Sequence, residues 1–294
     1  MRSEKPTFWQ QLHCCRNPMA ARTRLGLLVI LAVALAACSN ATAQTPPTPR
    51  PQTTLTISGS GGATEIVKFL AKAYSQQHAD LAFNFLSGAG TSGGVKGVLE
   101  GQLDLGTMSR PPKDSELAAG IAFLELGHDR VAVATSADVS ITGLTGQQVK
   151  DIFLGKIRNW SAVGGPNAAI NLFVRDEEDS LTQVLRAELF ADAEFASGAV
   201  VLTSEGDMRD ALLKATNAIG YIAHSNIRIN QLSIRVVILD NLDPADVHND
   251  YPYSRVTGIA YLPANASKLQ SFLDFVDSSE VQTLLADVGM VTTE

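Results

Sequence analysis

The sequence predicts an α/β fold, a mainly parallel sheet with helices on both faces. Between residues 54 and 135, short apolar runs that alternate like strands are followed in turn by runs with helical spacing. Such alternation of strand and helix favours parallel strands joined by covering helices. In addition, glycine and hydroxyl residues gather where predicted strands give way to predicted helices. These junctions are the places where an α/β sheet binds ligands.

The first half of the predicted fold contains four strands and two helices. Its strands are predicted over residues 55–57, 81–85, 103–106 and 130–134, and its helices over 65–75 and 94–100.

The second half begins with a helix that starts after Thr145 as N-cap and ends at Gly155. Further strands are predicted over 170–175, 200–202, 219–222, 232–239 and 256–262, and further helices from 180, over 267–278 and over 280–288. Residues 232–239, L-S-I-R-V-V-I-L, form the most strand-like run because they are rich in β-branched side chains.

The N-terminal 37 residues have the pattern of a lipoprotein signal peptide. Basic residues precede an apolar run over 25–37 that is too short to span a bilayer comfortably, and the run ends in L-A-A-C at Cys38. This pattern predicts export, with Cys38 as the lipidated first residue of the mature chain. Residues 38–52 are rich in proline and threonine, which is typical of an extended tether. Translation from Met19 instead of Met1 leaves this prediction unchanged.

The mature chain would be acidic and would contain one cysteine. Removing residues 1–37 takes away five basic residues and one acidic residue, so 23 Lys and Arg become 18, 30 Asp and Glu become 29, and the formal charge becomes −11. This balance argues against nucleic acid as a partner. A single cysteine excludes a disulfide within one mature chain and a cysteine-based metal site. About 257 residues remain, enough for one large domain or two lobes.

Three stretches combine a strand end, small or hydroxyl residues and a helix start: residues 55–70, 81–110 and 170–185. The first N–H groups of a helix have no partner inside the helix, and this end carries roughly half a positive charge. Each junction therefore favours an anion, although an ordinary turn that needs glycine only for its geometry remains the alternative. Three such junctions, one with Arg175 at the strand end, favour a shared site for a small anion.

Better-known catalytic and phosphate motifs are missing from the sequence. There is no G-x-x-x-x-G-K-[ST] and no H-E-x-x-H, and no Ser/His/Asp set can be argued from the sequence. The scattered histidines are interpreted as core or surface residues. The acidic run 176–179 lacks calcium-loop spacing and is interpreted as a solvated helix start. No metal site, cofactor or catalytic residue is predicted.

Several motifs resemble the phosphate-binding lipoproteins of bacterial ABC importers, which have the type II periplasmic-binding-protein fold. They are G-A-G-T-S-G-G-V-K at 88–96, L-D-L-G-T-M-S-R at 103–110, L-T-G-Q-Q-V-K-D-I-F-L-G-K-I-R-N-W at 144–160, G-Y at 220–221 and Y-P-Y-S-R at 251–255. The resemblance implies two lobes, 53–135 with 251–294 and 136–250, that close over phosphate. It also implies a monomer that delivers phosphate to a permease and its ATPase.

The resemblance also implies which residues contact the anion. They are Ala63 and Thr64 in the first loop, Thr91 and Ser92 in the second, Ser109, Arg175, and Ser180, Leu181 and Thr182 in the third. The chain departs from the family where Gly62-Ala63 replaces a common Thr-Ser, and where Asp179-Ser180-Leu181-Thr182 replaces G-S-G-T with one residue inserted. Ser109 occupies a position that is aspartate in the best-known members.

A carboxylate that faces phosphate can accept its proton and repels sulfate. Because Ser109 cannot do this, the candidates are Asp176, Asp179 and Asp104, with Asp104 favoured as a structural cap. Arg175 either binds the anion with two hydrogen bonds or pairs with the acidic run 176–179. Arg110 is either a cation at the cleft edge or, as we favour, part of a salt bridge.

Trp160 is interpreted as a packing residue.

Two other functions of the protein stay open. One is an oxyanion sensor or surface interaction protein of the same fold, with an altered ligand such as sulfate or molybdate, or none. The other, least supported, is an exported phosphatase.

Overall fold

The computed structural model describes residues 52–292 of the chain. The predicted signal peptide and the predicted lipidation site Cys38 lie outside the described residues, as does the predicted tether apart from Gln52. None of the helices within residues 52–292 has the length and apolar character needed to cross a membrane.

The first part of the described chain alternates strands and helices and ends in one long strand. The elements are β1 (Thr53–Gly59), α1 (Gly61–Gln77), β2 (Leu81–Phe85), α2 (Gly90–Leu99), β3 (Leu105–Met108), α3 (Asp114–Ala118) and β4 (Ala122–Thr135).

The second part has shorter strands. It contains β5 (Gly143–Leu144), α4 (Gly146–Phe153), β6 (Asn171–Arg175), α5 (Ser180–Leu185), β7 (Val200–Leu202), α6 (Glu205–Lys214), β8 (Ala218–Ala223), α7 (His224–Ile229), β9 (Arg235–Val236) and β10 (Ile238–Leu239). The chain ends with β11 (Ser254–Tyr261), α8 (Ala266–Val276) and α9 (Ser279–Asp287).

One sheet runs through the described residues in the order β2-β1-β3-β11-β4-β8-β6-β7. The outer strands pair in parallel at both ends, whereas β3, β11, β4 and β8 pair antiparallel in the centre. The long strand β4 pairs with β11 over residues 122–130 and with β8 over 131–135, so it joins the two halves of the sheet. The predicted α/β class with a mainly parallel sheet is confirmed, since five of the nine strand pairs in the described part are parallel.

Two large hydrophobic cores lie along this sheet. One packs β1 and β3 against α1, α8 and α9, and the other surrounds the buried side chains of Phe153 and Trp160. Val131 and Tyr253 belong to the second core, although the predicted boundaries assign both to lobe one. The boundary between the two cores therefore falls within β4 and just before β11, which differs from the predicted lobe boundaries. The division into two lobes stays a prediction.

Helices α1 and α2 begin four residues earlier than predicted. The sequence predicts starts at 65 and 94, whereas the helices start at Gly61 and Gly90. Glycine is a weak helix former, so a glycine-rich stretch argues for a loop. In the first turn, however, glycine also lets neighbouring groups approach the helix end closely.

The predicted strand over 232–239 is divided between two sheets. Strand β9 pairs with β4, and β10 pairs with β5, with Val237 between them. The prediction of one strand is therefore wrong, because the two ends of the run find different partners. By contrast, α4 begins as predicted: Thr145 caps it by accepting a hydrogen bond from the backbone N–H of Gln148, and Gly155 follows its end at φ 73°.

Candidate functional site

A cavity of about 630 Å³ opens where the ends of several elements meet. It is lined by the N-terminal ends of α1 and α2, the residues after β3, the loop from β6 to α5, and the loop from β7 to α6. All three predicted strand–helix junctions contribute to it. The cavity therefore draws on both halves of the sheet.

The first junction contributes Ser60, Gly61 and Gly62. No side chain caps α1, and the backbone N–H of Thr64 bonds to the carbonyl oxygen of Ser60 at 2.9 Å. The N–H groups of the three residues between them have no acceptor inside the helix. An unfilled helix end of this kind favours an anion in the cavity.

The two residues predicted to bind through this junction do not line the cavity. Ala63 is fully buried, and the hydroxyl of Thr64 bonds to the carbonyl oxygen of Ser60 at 2.8 Å and lies 2.7 Å from the Thr107 hydroxyl. The early start of α1 explains the difference, because it moves the helix end to residues 60–62. Contact of Ala63 and Thr64 with an anion is therefore no longer expected from their side chains.

The second junction brings together the residues predicted there. Gly90, Thr91 and Ser92 line the cavity beside Ser109. The Thr91 hydroxyl oxygen accepts a hydrogen bond of 3.1 Å from the backbone N–H of Ser109. The Ser109 hydroxyl lies 2.6 Å from the hydroxyl of Ser60, so the first two junctions are linked directly.

Arg175 is held at the end of β6 by several contacts. Its backbone N–H donates to the Tyr221 hydroxyl at 2.9 Å, and its Nε donates to the carbonyl oxygen of Leu202 at 3.1 Å. Its Nη2 lies 3.0 Å from Oδ2 of Asp179. Its Nη1 is buried and has no hydrogen-bond partner among the described residues. Arg175 thus lines the cavity and also forms the salt bridge that was the alternative interpretation.

Of the three residues predicted at the third junction, Ser180 lines the cavity and Leu181 and Thr182 do not. Asp179 caps α5 by accepting from both backbone N–H groups, 181 and 182, while Leu181 is fully buried. The Thr182 hydroxyl lies 2.6 Å from that of Tyr221, whose pKa burial raises to about 12. The carboxylate of Asp179 therefore occupies the N-terminal end of α5, where the family pattern G-S-G-T has glycine.

Two residues beside the cavity were given no role in the sequence analysis. Arg255, on β11, is buried; its Nη2 lies 3.2 Å from Oδ2 of Asp129, and its Nη1 donates to the Ser180 hydroxyl at 2.6 Å. Glu205, the first residue of α6, lines the cavity with Oε2 3.8 Å from Nη2 of Arg255. The pattern Ser204-Glu205 is typical of any helix start, and Arg255 is the last residue of the Y-P-Y-S-R motif, to which no contact was assigned. The sequence offered no signal for either role.

Glu205 is unusual because one of its carboxyl oxygens lacks a hydrogen-bond partner among the described residues. Its Oε1 is buried with no hydrogen-bond partner within residues 52–292. Burial raises the pKa of Glu205, and Asp129 and Asp179 add to the rise, while Arg255 and Arg175 oppose it. Its neutral form is therefore favoured at a higher pH than for an exposed glutamate.

The glycine at position 62 is explained by these two side chains. A Cβ atom at Gly62 would overlap Nη2 of Arg255 and come within 2.7 Å of Oε2 of Glu205. At Gly61 a Cβ would meet nothing within 4 Å. Arg255 and Glu205 therefore occupy the space that a side chain at position 62 would need.

Other residues singled out in the sequence have structural contacts. Asp104 accepts from the backbone N–H of Thr56 at 2.8 Å and lies 2.7 Å from Lys268, which agrees with a structural cap. Arg110 forms the favoured salt bridge with two 2.8 Å hydrogen bonds to Glu116, and it also lines the cavity. Trp160 is fully buried, as predicted for a packing residue. Within residues 52–292, no group of three or more His, Cys, Asp or Glu side chains is placed to hold a metal ion.

Fold and cavity agree with the family comparison. Residues 44–280 match the family described as the PBP superfamily domain, and the chain belongs to this family. Within it, the chain is similar to curated proteins named phosphate-binding protein PstS. It is 24% identical to that of Borreliella burgdorferi over 214 residues, 69% of this chain and 77% of the relative. It is 25% identical to that of Bacillus subtilis over 244 residues, 80% of this chain and 79% of the relative.

Solved structures give the same result. A putative phosphate ABC transporter substrate-binding protein with bound phosphate from Clostridium perfringens is 27% identical, with a TM-score of 0.71 over 82% of this chain and all of that chain. An ABC-type phosphate transport receptor from Vibrio cholerae is 26% identical, with a TM-score of 0.60 over 81% of this chain and all of that chain. The resemblance inferred from the sequence motifs is confirmed.

Proposed function

We propose that this chain is an exported, lipid-anchored solute-binding protein that captures inorganic phosphate and delivers it to an ABC permease with its ATPase. It acts as a monomer, binds no nucleic acid, and performs no covalent chemistry. The relatives are named for phosphate binding, and two solved relatives are described as parts of phosphate ABC transport. Attachment through a lipid on Cys38 follows from the L-A-A-C motif.

The observation that carries the proposal is the meeting of two helix N-termini and Arg175 in one cavity. The amide groups of Gly61 and Gly90 belong to uncapped helix starts, and neither helix has an acidic residue in its first turn. Oriented amide groups stabilise an anion without needing a net positive protein. This suits a chain whose mature part is acidic, since the long-range field is screened beyond about 8 Å in physiological salt.

Hydroxyl groups and Arg175 would complete the binding set. Ser60, Thr91, Ser92, Ser109 and Ser180 place side-chain hydroxyls around the cavity. The free Nη1 of Arg175 can donate a charge-assisted hydrogen bond, which is roughly twice as strong as a neutral one. Donors from both halves of the sheet would bind the same anion, so phosphate would favour a closed arrangement by differential affinity.

Calorimetry of the ligand-stripped protein against phosphate, sulfate, arsenate and molybdate tests the proposal. We expect phosphate to bind most tightly, arsenate to follow because it has the same shape and carries a proton, and sulfate and molybdate to bind far more weakly. If none of the four anions binds, the proposal is wrong.

A second candidate is an oxyanion sensor or surface interaction protein without a transport role. It is favoured by one observation: four acidic residues line the cavity against two arginines, Arg110 and Arg175. The acidic residues are Asp176, Glu178, Asp179 and Glu205. Calorimetry separates the two, since preference for another oxyanion, or binding of none, supports this candidate.

A further inference from the structure

The side chain of Glu205 reaches from the second half of the sheet to the N-terminal end of α1, which belongs to the first half. Glu205 is the first residue of α6, yet its Oε2 would lie within 2.7 Å of a Cβ atom at Gly62 in the first turn of α1. It lines the cavity and is 93% buried, since only 7% of its surface is exposed. A buried carboxyl oxygen without a partner costs about 1–3 kcal/mol. Because Glu205 lines the cavity, a ligand bound there would supply that partner if it reaches Oε1.

The carboxylates named from the sequence are less suited to face an anion. Asp179 is already engaged, with a salt bridge to Arg175 and hydrogen bonds from two backbone N–H groups of α5. Asp104 is bonded to Thr56 and Lys268, away from the cavity. Asp176 lines the cavity but is only half-buried, so water can hydrate its carboxylate.

Burial favours a proton on Glu205, and the charged groups around it act in both directions on its pKa. The groups that act on it are Arg255 on β11, Asp129 on β4, Arg175 at the end of β6 and Asp179 at the cap of α5. When all five groups are ionised, the cluster has three negative and two positive charges. A bound oxyanion adds further negative charge at short range, which raises the free energy of the complex unless a proton accompanies it.

We propose that Glu205 is the residue that selects for a protonated oxyanion, sharing one proton between its Oε1 and an oxygen of the bound anion. This inference rests on the proposed function. With hydrogenphosphate the proton arrives on the anion, whose O–H donates to the ionised Oε1, and no proton is exchanged with solvent. Sulfate carries no proton near neutral pH, so Glu205 must first take one from solvent. Glu205 thereby replaces the aspartate that the family pattern places where this chain has Ser109.

Two consequences follow for binding. Above the pKa of Glu205, sulfate binding takes up one proton, so sulfate affinity rises about tenfold for each pH unit of acidification. Above the same pKa, hydrogenphosphate binding takes up none. Because burial raises the pKa of Glu205, discrimination against sulfate begins at a higher pH than an ordinary glutamate would give.

The test compares phosphate and sulfate affinities at pH 8 for the wild-type protein, Glu205→Gln, Asp176→Asn and the control Glu194→Gln. The amide of Glu205→Gln can donate to sulfate, so we expect the phosphate-over-sulfate affinity ratio to fall by at least about tenfold. Glu194→Gln removes the same charge from an exposed position that does not line the cavity and is expected to leave the ratio unchanged. Thermal melting checks that each variant is folded.

Calorimetry of the wild-type protein in buffers of different ionisation enthalpy gives a second measurement that needs no variant. We expect about one proton taken up with sulfate and none with phosphate at pH 8. Equal proton uptake for the two anions, or an unchanged affinity ratio in folded Glu205→Gln, overturns the inference while phosphate binding itself stands. A fall in the ratio for Asp176→Asn alone assigns the role to Asp176 and also overturns it. A wild-type protein that binds no phosphate overturns the proposed function as well.

Discussion

The side-chain oxygens of Ser60 and Ser109 lie 2.6 Å apart at the point where α1 begins and β3 has just ended. Both residues are buried and both line the cavity. Only one of the two hydroxyl hydrogens can lie between the oxygens, so the other remains free to donate. The pair therefore presents one donor to an anion and holds the first two junctions together.

Replacing Ser109 with alanine is expected to weaken phosphate binding about three- to tenfold, because a hydrogen bond of this kind contributes about 0.5–1.5 kcal/mol. Calorimetry measures the effect. Ser115→Ala, on the exposed face of α3, is the matched control and should bind as the wild type does. Equal affinity of Ser109→Ala and Ser115→Ala would show that the hydroxyl pair has no part in binding.

Arg175→Ala should lower phosphate affinity by about 30-fold or more, since loss of one partner from a buried, charged hydrogen-bonded pair costs about 2–5 kcal/mol. Arg158→Ala removes the same charge from an exposed position in the same half of the sheet. The control should retain full affinity if contact, and not net charge, is decisive. Similar losses in both variants would contradict a direct role for Arg175.

Gly62→Ala and Gly61→Ala form an adjacent pair with opposite expectations. At Gly62 the added methyl group must displace Arg255 and Glu205, at a cost of about 1–3 kcal/mol in the free energy of unfolding, with weaker phosphate binding. At Gly61 the methyl group meets open space and should raise the free energy of unfolding by about 0.4–1 kcal/mol. Urea denaturation of both variants measures the difference. Equal free energies of unfolding for Gly62→Ala and Gly61→Ala would show that Arg255 and Glu205 do not restrict the side chain at position 62.

His224 should make the fold sensitive to mild acid. Burial lowers its pKa below the ordinary value of 6.5, against a smaller opposing effect of Asp129. The unfolded chain therefore binds a proton at a pH where the folded chain does not, and the free energy of unfolding falls as the pH drops from about 6.5 towards the lowered pKa. His224→Gln should flatten this part of the stability curve, while His248→Gln, at an exposed position, should not. Identical pH dependence in both variants would contradict the assignment.

Much of the fold could be predicted from the sequence because its apolar periodicity is strong. The α/β class and the cap at Thr145 follow directly from local patterns. The run 232–239 misled the prediction because strand partners are chosen by tertiary packing, which local propensity does not contain. The glycines before α1 and α2 misled it because their poor helix propensity matters little in a first turn that faces a ligand cavity.

The site was predicted less completely than the fold. Thr91, Ser92, Ser109, Arg175 and Ser180 do line one cavity, because strand ends and helix starts meet at the same edge of the sheet. Glu205 and Arg255 were missed because their importance arises from long-range contacts, such as Arg255 with Asp129, 126 positions apart in the chain. Gly62 shows the same limit, since only the structure reveals that Arg255 and Glu205 occupy the space beside it.

A crystal structure of the protein with phosphate tests the central claim most directly. We expect one phosphate in the cavity, with its oxygens within hydrogen-bond distance of backbone N–H groups at the starts of α1 and α2 and of the Arg175 guanidinium. Phosphate bound elsewhere, or a cavity in which only one of these three elements touches the anion, would contradict it.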